Sequence, residues 1–349
     1  MKKKLLILIC IVAAGLSMVS ACGTRQDVVP DSASTSSADS GVLPIYALVT
    51  KSEGNQFNEL MAEGFTSAIE ESGGNGLVRY PSEATAEAQV QIIDELIDSG
   101  VVSIAVAAND ANALGDVLQE AMEKGIAVST VDSDVSADDR QVFVNQVSTT
   151  ELAQALVEAV YDISGGEGQW AILSATSQAT NQNAWINAMR SVLEDEKYQG
   201  LRLVDIVYGN DDADTSADLT EGLLEDYPDL KVICAPTTAG ITGVAEVLES
   251  ADSSVLVTGL GLPSEMAEYL DGVCPYFFLW NPIELGEVSA YVSVSLVNGG
   301  LTGAVDEVFL AGDLGLLDVS LNDSGATEII VSEPIRFDSS NIDEWKDLF

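Results

Sequence analysis

PIYALVTKSEGNQFNELMAEGFTSAIEESGGNGLVRY, residues 44–80, is the most informative stretch of this chain. It begins and ends with short apolar runs, 45–50 and 77–80, whose length and composition are typical of buried strands. Between them, apolar side chains recur at the spacing of one face of a helix, namely Phe57, Leu60, Met61, Phe65, Ala68 and Ile69. Ser72-Gly73-Gly74 ends that helix. A strand, a helix and a strand in this order predict a parallel βαβ unit.

The same alternation continues along the chain and comes in two sets. The remaining strand candidates of the first set are residues 103–107, 127–131 and 142–145. A helix at about 149–163 and the break Ser164-Gly165-Gly166 separate the two sets. The strand candidates of the second set are residues 170–174, 203–208, 232–235, 255–259 and 276–279. Each set predicts one Rossmann-like α/β lobe built on a parallel sheet.

The end of the sequence indicates how the two lobes are joined. A helix at about 283–297 follows the second set of strands, and short strands around 316–321 and 328–331 follow that helix. Because this helix has no sheet of its own, we expect it to return to the first lobe. A hinge of three crossovers is then predicted near Gln146, Asn281 and Leu310. The predicted lobes are residues 42–146 plus 282–310 and residues 147–281 plus 311–349.

The amino terminus has the features of a lipoprotein signal peptide. Lysines at positions 2–4 precede an apolar run at 5–15, which is shorter than the roughly 20 residues needed to cross a bilayer. The sequence VSAC at 19–22 then forms a lipobox. We predict removal of residues 1–21 and attachment of a lipid to Cys22, which would anchor the protein to the cell membrane on its extracytoplasmic side.

Composition limits the partners of this protein. Residues 22–41, rich in Ser, Ala and Asp, predict a flexible acidic linker. The whole chain has 14 Lys and Arg against 56 Asp and Glu, a formal net charge of −42, and loss of the signal peptide removes three of those lysines. This charge disfavours nucleic acids and anionic membrane surfaces as partners. The binding of a neutral ligand would not depend on this net charge.

The residue types also argue against an enzyme. The chain has no histidine, which excludes Ser-His-Asp and Cys-His nucleophiles and zinc sites that need histidine. Cys10 is removed with the signal peptide and Cys22 would carry the lipid, so only Cys234 and Cys274 remain as thiols. Both lie beside apolar runs, and we expect buried free thiols rather than a disulfide. The acidic loop at 210–221 has Thr215 where a calcium loop needs glycine, so a solvated loop and helix cap is favoured there. We predict no catalytic residue, no metal and no cofactor.

Polar residues at the strand ends are the candidates for a binding site. In open parallel sheets, ligands bind beyond the carboxyl ends of the strands, and two such lobes facing each other form one cleft. The residues that directly follow the predicted strands are Lys51, Asn109, Asp132, Asp134, 176–183, 236–238, 260–263, Trp280 and Asn281. This set suits a neutral sugar.

A sugar needs hydrogen-bonding groups for its hydroxyls and flat apolar surfaces for its C–H faces. Asp132 can accept from two hydroxyls, Lys51 can donate, and Asn181 can do both. Phe57 and Trp280 can cover the apolar faces. One alternative stays open: Asp134 either binds ligand or caps the following turn. Trp185 is expected to pack on a helix face rather than in the site.

Four segments at predicted strand ends form a recognisable set: ATNQNAW at 179–185, APTT at 235–238, TGLGLPS at 258–264 and LWNP at 279–282. Together they make the chain resemble the rhamnose-binding (RhaS-type) substrate-binding proteins. The resemblance covers essentially the whole mature domain. It implies a type I periplasmic-binding fold, an ABC permease as partner and a monomeric receptor that catalyses nothing.

The sister family, the autoinducer-binding LsrB-type proteins, is similar too. Its pocket uses a lysine after the first strand, an aspartate after the fourth, an Asp-Gln pair and a Pro-x-Ala segment. Lys51, Asp132, Gln182 and Pro236 match these positions. The chain departs at two positions, with Asn181 in place of Asp and Thr238 in place of Ala, and both departures agree with the rhamnose-type pattern.

The sequence therefore predicts a lipid-anchored solute-binding protein of an ABC importer that captures a monosaccharide, with L-rhamnose or a related deoxyhexose favoured over the autoinducer. The predicted ligand-binding residues are Lys51, Phe57, Asp132, Asn181, Gln182, Pro236, Thr238, Trp280 and Asn281. A LacI-like repressor would share the lobes but needs a DNA-binding headpiece, and a hydrolase needs a positioned acid–base pair.

Overall fold

The computed structural model describes residues 43–349, which form one compact unit that contains the buried cores. The predictions for the signal peptide, for Cys22 and for the linker lie outside the described residues. None of the helices within 43–349 is both long enough and apolar enough to cross a membrane.

The first lobe is built on a seven-stranded sheet. Its first five strands are β1 Ile45–Val49, β2 Asn75–Arg79, β3 Ser103–Val106, β4 Ala127–Val131 and β5 Val142–Asn145. The helices between them are α1 Gln56–Glu71, α2 Ala86–Ser99 and α3 Gly115–Glu123. The five strands are parallel and lie in the order β5-β4-β3-β1-β2. Alternate side chains of β1 enter two different cores, because a parallel sheet is covered by helices on both faces.

The second lobe repeats this architecture with a smaller sheet. After α4 Thr149–Ser164, its elements are β6 Gly168–Ser174, α5 Thr180–Val192, β7 Leu201–Tyr208, α6 Ala213–Asp226, β8 Leu230–Ala235, α7 Thr238–Ser250, β9 Leu256–Gly259, α8 Pro263–Met266 and β10 Phe277–Leu279. Strands β6 to β9 form a parallel sheet in the order β7-β6-β8-β9. Cys234 and Cys274 are buried free thiols, as predicted, and burial raises the pKa of each to about 12.

The helix that follows β10 returns to the first lobe. Helix α9, Pro282–Val297, packs along α1 and over β3 and β4. The two helices approach so closely that a Cβ atom on Gly286 would lie 1.9 Å from the carbonyl oxygen of Met61. A Cβ atom on Gly64 would lie 2.0 Å from the carbonyl oxygen of Ile283. Glycine is therefore required at both positions.

The predicted assignment of residues 311–349 to the second lobe is wrong for part of that segment. The last strands are β11 Val308–Leu310, β12 Leu316–Asp318, β13 Ser320–Leu321, β14 Thr327–Ile330 and β15 Ile335–Phe337. Strand β14 pairs in parallel with β5 and carries β13 at the edge, so both extend the first sheet. Only β15 pairs with β10, antiparallel, in the second lobe. The third crossover therefore lies between β14 and β15, not near Leu310.

Candidate functional site

The site lies in the cleft between the lobes, at the carboxyl ends of the parallel strands. Side chains from both lobes surround about 400 Å³ of space, part of it open to solvent. The first lobe contributes the residues that follow β1 and β4 and the start of α1. The second lobe contributes the first turn of α5 and the loops after β7 and β8.

Three polar side chains from the two lobes meet in this cavity. The ammonium Nζ of Lys51 lies 3.0 Å from Oδ2 of Asp132, and it donates to Oδ1 of Asn181 at 3.1 Å. The amide nitrogen of Asn181 donates to the same Asp132 oxygen at 3.2 Å. Asp132 and Asn181 are buried, with 6% and 9% of their surface exposed. A buried charge pair of this kind is tolerated because each charge is matched and hydrogen-bonded.

The first lobe holds Lys51 and Asp132 in place through its backbone. The fully buried Gln89 donates to the carbonyl oxygens of Thr50 (3.0 Å) and Ala107 (2.7 Å), which joins the ends of β1 and β3. The side chain of Asn109 then donates to the Lys51 carbonyl oxygen at 2.8 Å. Asn109, a strand-end candidate, thus positions the backbone of Lys51. Asp132 has a φ of 62°, an uncommon left-handed conformation for a residue other than glycine.

Gln182 joins the second-lobe strand β6 to the first turn of α5. Its Oε1 accepts from the Ser174 hydroxyl at 2.6 Å and from the Ala175 amide at 2.7 Å. Its backbone amide donates to Oδ1 of Asn181 at 2.8 Å. The second lobe therefore fixes both amide side chains through local hydrogen bonds.

An aromatic corner, formed by Phe57, Trp185 and Trp280, lines the apolar side of the cavity. The Trp280 ring lies edge-on to Phe57, with centroids 6.0 Å apart and an interplanar angle of 88°. Trp185 lies 6.0 Å from Trp280 at 62°. Trp280 is 2% exposed, and its indole N–H has no hydrogen-bond partner within residues 43–349. A buried tryptophan normally finds such a partner, so the Trp280 N–H is an unsatisfied buried donor.

Eight of the nine predicted ligand-binding residues line this cavity, and Asn281 does not. The eight are Lys51, Phe57, Asp132, Asn181, Gln182, Pro236, Thr238 and Trp280. The structure gives Asn281 a role outside the cavity lining, since its Oδ1 caps α9 by accepting from the amides of Ile283 (3.0 Å) and Glu284 (3.4 Å). Trp185 was expected to pack on a helix face rather than in the site, but the structure places it in the cavity lining.

The open alternative at Asp134 resolves as a structural role. Its carboxylate accepts from Nε of Arg140 at 2.8 Å and from Nη2 at 2.5 Å, and the Thr130 hydroxyl donates to it at 2.6 Å.

The acidic loop after β7 contains a helix cap. Asp212 caps α6 by accepting from the hydroxyl (2.6 Å) and the amide (2.7 Å) of Thr215, and these two hydrogen bonds lower the pKa of its carboxyl. Residues 43–349 contain no cluster of three or more His, Cys, Asp or Glu that could hold a metal ion.

Sequence reasoning missed several side chains of the cavity. They are Asn55, Asn58, Asp211 and Leu279. Asp211 follows β7, so the rule that selects residues at strand ends would have found it. Asn55 is the N-cap of α1. An asparagine directly before an amphipathic helix is a recognisable cap, but the sequence does not show that the capped end faces the second lobe.

Comparison with known proteins agrees with this architecture. Residues 46–301 match the family described as periplasmic binding protein domain. A crystal structure of an ABC transporter solute-binding protein from Clostridium phytofermentas with bound L-rhamnose is 48% identical, with a TM-score of 0.86. The match covers 88% of this chain and 99% of that one.

Two more distant relatives are also similar to this chain, the first of them in fold. LsrB from Clostridium saccharobutylicum in complex with AI-2 is 23% identical, with a TM-score of 0.81, over 86% of this chain and 99% of that one. A D-ribose/D-allose-binding protein of Pseudomonas aeruginosa is 23% identical over 230 residues, 62% of this chain and 70% of that protein. The predicted fold class and family are confirmed. The chain therefore belongs to the periplasmic binding protein domain family as an extracytoplasmic, non-enzymatic ABC transporter solute-binding protein with the type I fold.

Proposed function

We propose that this protein captures L-rhamnose, or a closely related 6-deoxyhexose, in the cleft and delivers it to the permease of an ABC importer. The observation that carries the proposal is the pairing of one polar cluster with one aromatic corner in the same cavity. The relative that is 48% identical has L-rhamnose bound, which supports the same ligand class here.

The charges that line the cavity favour a neutral ligand. Lys51 is the only basic side chain among the lining residues of the described chain, and Asp132 already lies 3.0 Å from it. Asp211 adds a second carboxylate. An anionic ligand would meet more negative than positive charge, whereas sugar hydroxyls can take over the hydrogen bonds of Lys51, Asp132 and Asn181 without adding charge.

The aromatic corner favours a sugar with an apolar substituent. In L-rhamnose C6 is a methyl group, whereas in L-mannose C6 carries a hydroxyl. The rings of Phe57 and Trp280 offer that methyl an apolar surface. Burying the extra hydroxyl of L-mannose without a partner would cost about 1 to 3 kcal/mol.

The autoinducer remains the second candidate ligand because the LsrB complex shares the fold. Asn181 argues against it. Its amide nitrogen donates to Asp132 at 3.2 Å, and the aspartate of the autoinducer-binding pattern has no such donor. An aspartate at this position would bring two carboxylates together in the cavity.

A thermal-shift screen of residues 43–349 against monosaccharides and the autoinducer tests this function, since a ligand that binds the folded state raises the melting temperature. We expect the largest shift with L-rhamnose. A shift with the autoinducer alone would replace the ligand, and no shift with any sugar would contradict sugar capture.

We also propose that the mature protein is a monomer tethered to the membrane by a lipid on Cys22. The lipobox at 19–22 supports the tether. In the full chain, we expect Cys22→Ser to move the protein from the membrane fraction to the soluble fraction. Recovery of this variant in the membrane fraction at the wild-type level would contradict the lipid anchor.

A further inference from the structure

Asp211 is held in a specific orientation by its own lobe. It follows β7, and both Asn210 and Asp211 have positive φ angles, 57° and 58°. Asparagine and aspartate tolerate this left-handed conformation better than most residues. The amide of Asn210 donates to the carbonyl oxygen of Ala175 at 2.9 Å, and the buried Thr237 hydroxyl donates to Oδ1 of Asp211. The other carboxylate oxygen, Oδ2, is directed towards the first lobe.

Asn55 meets this carboxylate from across the cleft. Its amide nitrogen donates to Oδ2 of Asp211 at 3.3 Å. The other end of the same amide is already engaged, because Oδ1 caps α1 by accepting from the amides of Phe57 (2.9 Å) and Asn58 (3.4 Å). The cap fixes which end of the side chain faces Asp211. Both partners are thus oriented within their own lobes, which lowers the entropy cost of joining them.

The pair stands between the cavity and an outer groove. Asn55 and Asp211 line the cavity, and they also line a second depression formed by residues of both lobes, including Gln56 and Glu265. Beside the pair, the exposed Gln56 side chain donates to the Ser264 hydroxyl at 3.4 Å. The Asn55–Asp211 hydrogen bond therefore joins the lobes where the cavity opens towards solvent.

We propose that Asn55 and Asp211 are positioning residues that hold the lobes together over the bound sugar and so set the rate at which it leaves. This inference rests on the proposed function. Lys51 and Asp132 belong to the same lobe, so their ion pair forms without closure, whereas the Asn55–Asp211 bond requires it. Its loss affects dissociation more than association, as is usual for changes at a closed interface.

Exchange of the two side chains gives a sharp test on residues 43–349. Asn55→Asp keeps the helix cap, because aspartate caps as well as asparagine, but it places two carboxylates face to face. Asp211→Asn alone puts two amides there. The double variant N55D/D211N restores one carboxylate and one amide with the roles exchanged. The measured quantities are the dissociation rate of L-rhamnose, followed by tryptophan fluorescence, and the radius of gyration from small-angle scattering.

We expect Asn55→Asp to speed dissociation about tenfold with a nearly unchanged association rate, and the double variant to return within about threefold of wild type. Unfolding of each variant by denaturant controls for the helix cap. Equal dissociation rates in Asn55→Asp and wild type would overturn the inference. So would a double variant whose increase in dissociation rate equals the product of the increases in the two single variants. If wild type binds no sugar, the proposed function fails. The role of the Asn55–Asp211 hydrogen bond is then tested by scattering alone: the radius of gyration of Asn55→Asp must exceed that of wild type, and that of the double variant must not.

Discussion

The two walls of the cleft recognise ligand in different ways. In the first-lobe wall, Lys51 and Asp132 form an ion pair within one lobe, so their charges are matched whether or not the cleft is closed. In the second-lobe wall, Asn181 and Gln182 are neutral amides fixed by local hydrogen bonds. The first wall therefore supplies strong, charge-assisted hydrogen bonds, and the second wall supplies donors and acceptors that determine which ligand pattern fits. Substitutions in the two walls should differ in size and in kind.

The largest effect is expected from Asp132→Ala in the first-lobe wall. The change leaves the Lys51 ammonium in a largely buried place without its carboxylate, and loss of one member of such a pair costs about 2 to 5 kcal/mol. We expect affinity for L-rhamnose to fall by about 100-fold or more, measured by calorimetry. Asp218→Asn, which changes an exposed carboxylate on α6, is the matched control and should bind as wild type does. Near-normal affinity in Asp132→Ala would refute the role of the first wall.

A smaller loss is expected from Asn181→Asp in the second-lobe wall. The new carboxylate still accepts from Lys51 but removes the donor to Asp132, at a contact of 3.2 Å. We expect affinity for L-rhamnose to fall about tenfold, equivalent to about 1.4 kcal/mol, while the ratio of autoinducer to rhamnose affinity rises. A uniform loss for both ligands would mean that Asn181 does not discriminate between them.

Substitutions at Gln182 separate support of the wall from contact with ligand. Gln182→Leu leaves the Ser174 hydroxyl and the Ala175 amide without their acceptor, so we expect the free energy of unfolding to fall by about 1 to 3 kcal/mol. Gln182→Glu keeps an acceptor oxygen and should lose less. Denaturant unfolding of the two variants measures the difference. Equal stability of both would contradict the supporting role assigned to Oε1.

The smallest effect lies outside both walls, at Glu328 on β14. Burial raises the pKa of this carboxyl above its ordinary value, although Asn145 donates to it at 2.8 Å. A carboxyl with a higher pKa in the folded state binds its proton more tightly when folded. The contribution of Glu328 to the free energy of unfolding is therefore present at low pH and is lost as the pH rises through the raised pKa.

Glu328→Gln should accordingly give a small gain in unfolding free energy at pH 7 relative to wild type, and the gain should shrink as the pH approaches the ordinary carboxyl range. Because the rest of the acidic surface is unchanged, the difference between the two proteins isolates this group. Unfolding curves at several pH values measure it. A constant difference at every pH would be inconsistent with a raised pKa at Glu328.

Much of the fold could be predicted because its strands are buried on both sides. Such strands appear in the sequence as short apolar runs between amphipathic helices, and the predicted ranges for β1 to β10 overlap the observed strands throughout. The lobe that receives β13 and β14 could not be predicted in this way. Both strands are short, and their place is set by pairing with β5, a partner far away in the sequence.

The site was predictable where it follows strand ends and less so where it involves helix caps. Lys51 and Asp132 follow β1 and β4, so topology alone places them in the cleft. The cap role of Asn281 was not predicted, because an asparagine before a proline at a strand end suits a ligand site and a helix start equally well by position. Asn55 has the opposite property, since one side chain caps α1 and also reaches the opposite lobe. Only the three-dimensional structure shows that double role.

The most direct test of the central claim is a pair of calorimetric titrations of residues 43–349, one with L-rhamnose and one with L-mannose, which differ by a single hydroxyl at C6. The account predicts micromolar or tighter binding of L-rhamnose, equivalent to about 8 kcal/mol or more, and binding of L-mannose at least about tenfold weaker. Equal affinity for the two sugars, or binding of L-mannose alone, would contradict the assignment of the aromatic corner to the sugar methyl group.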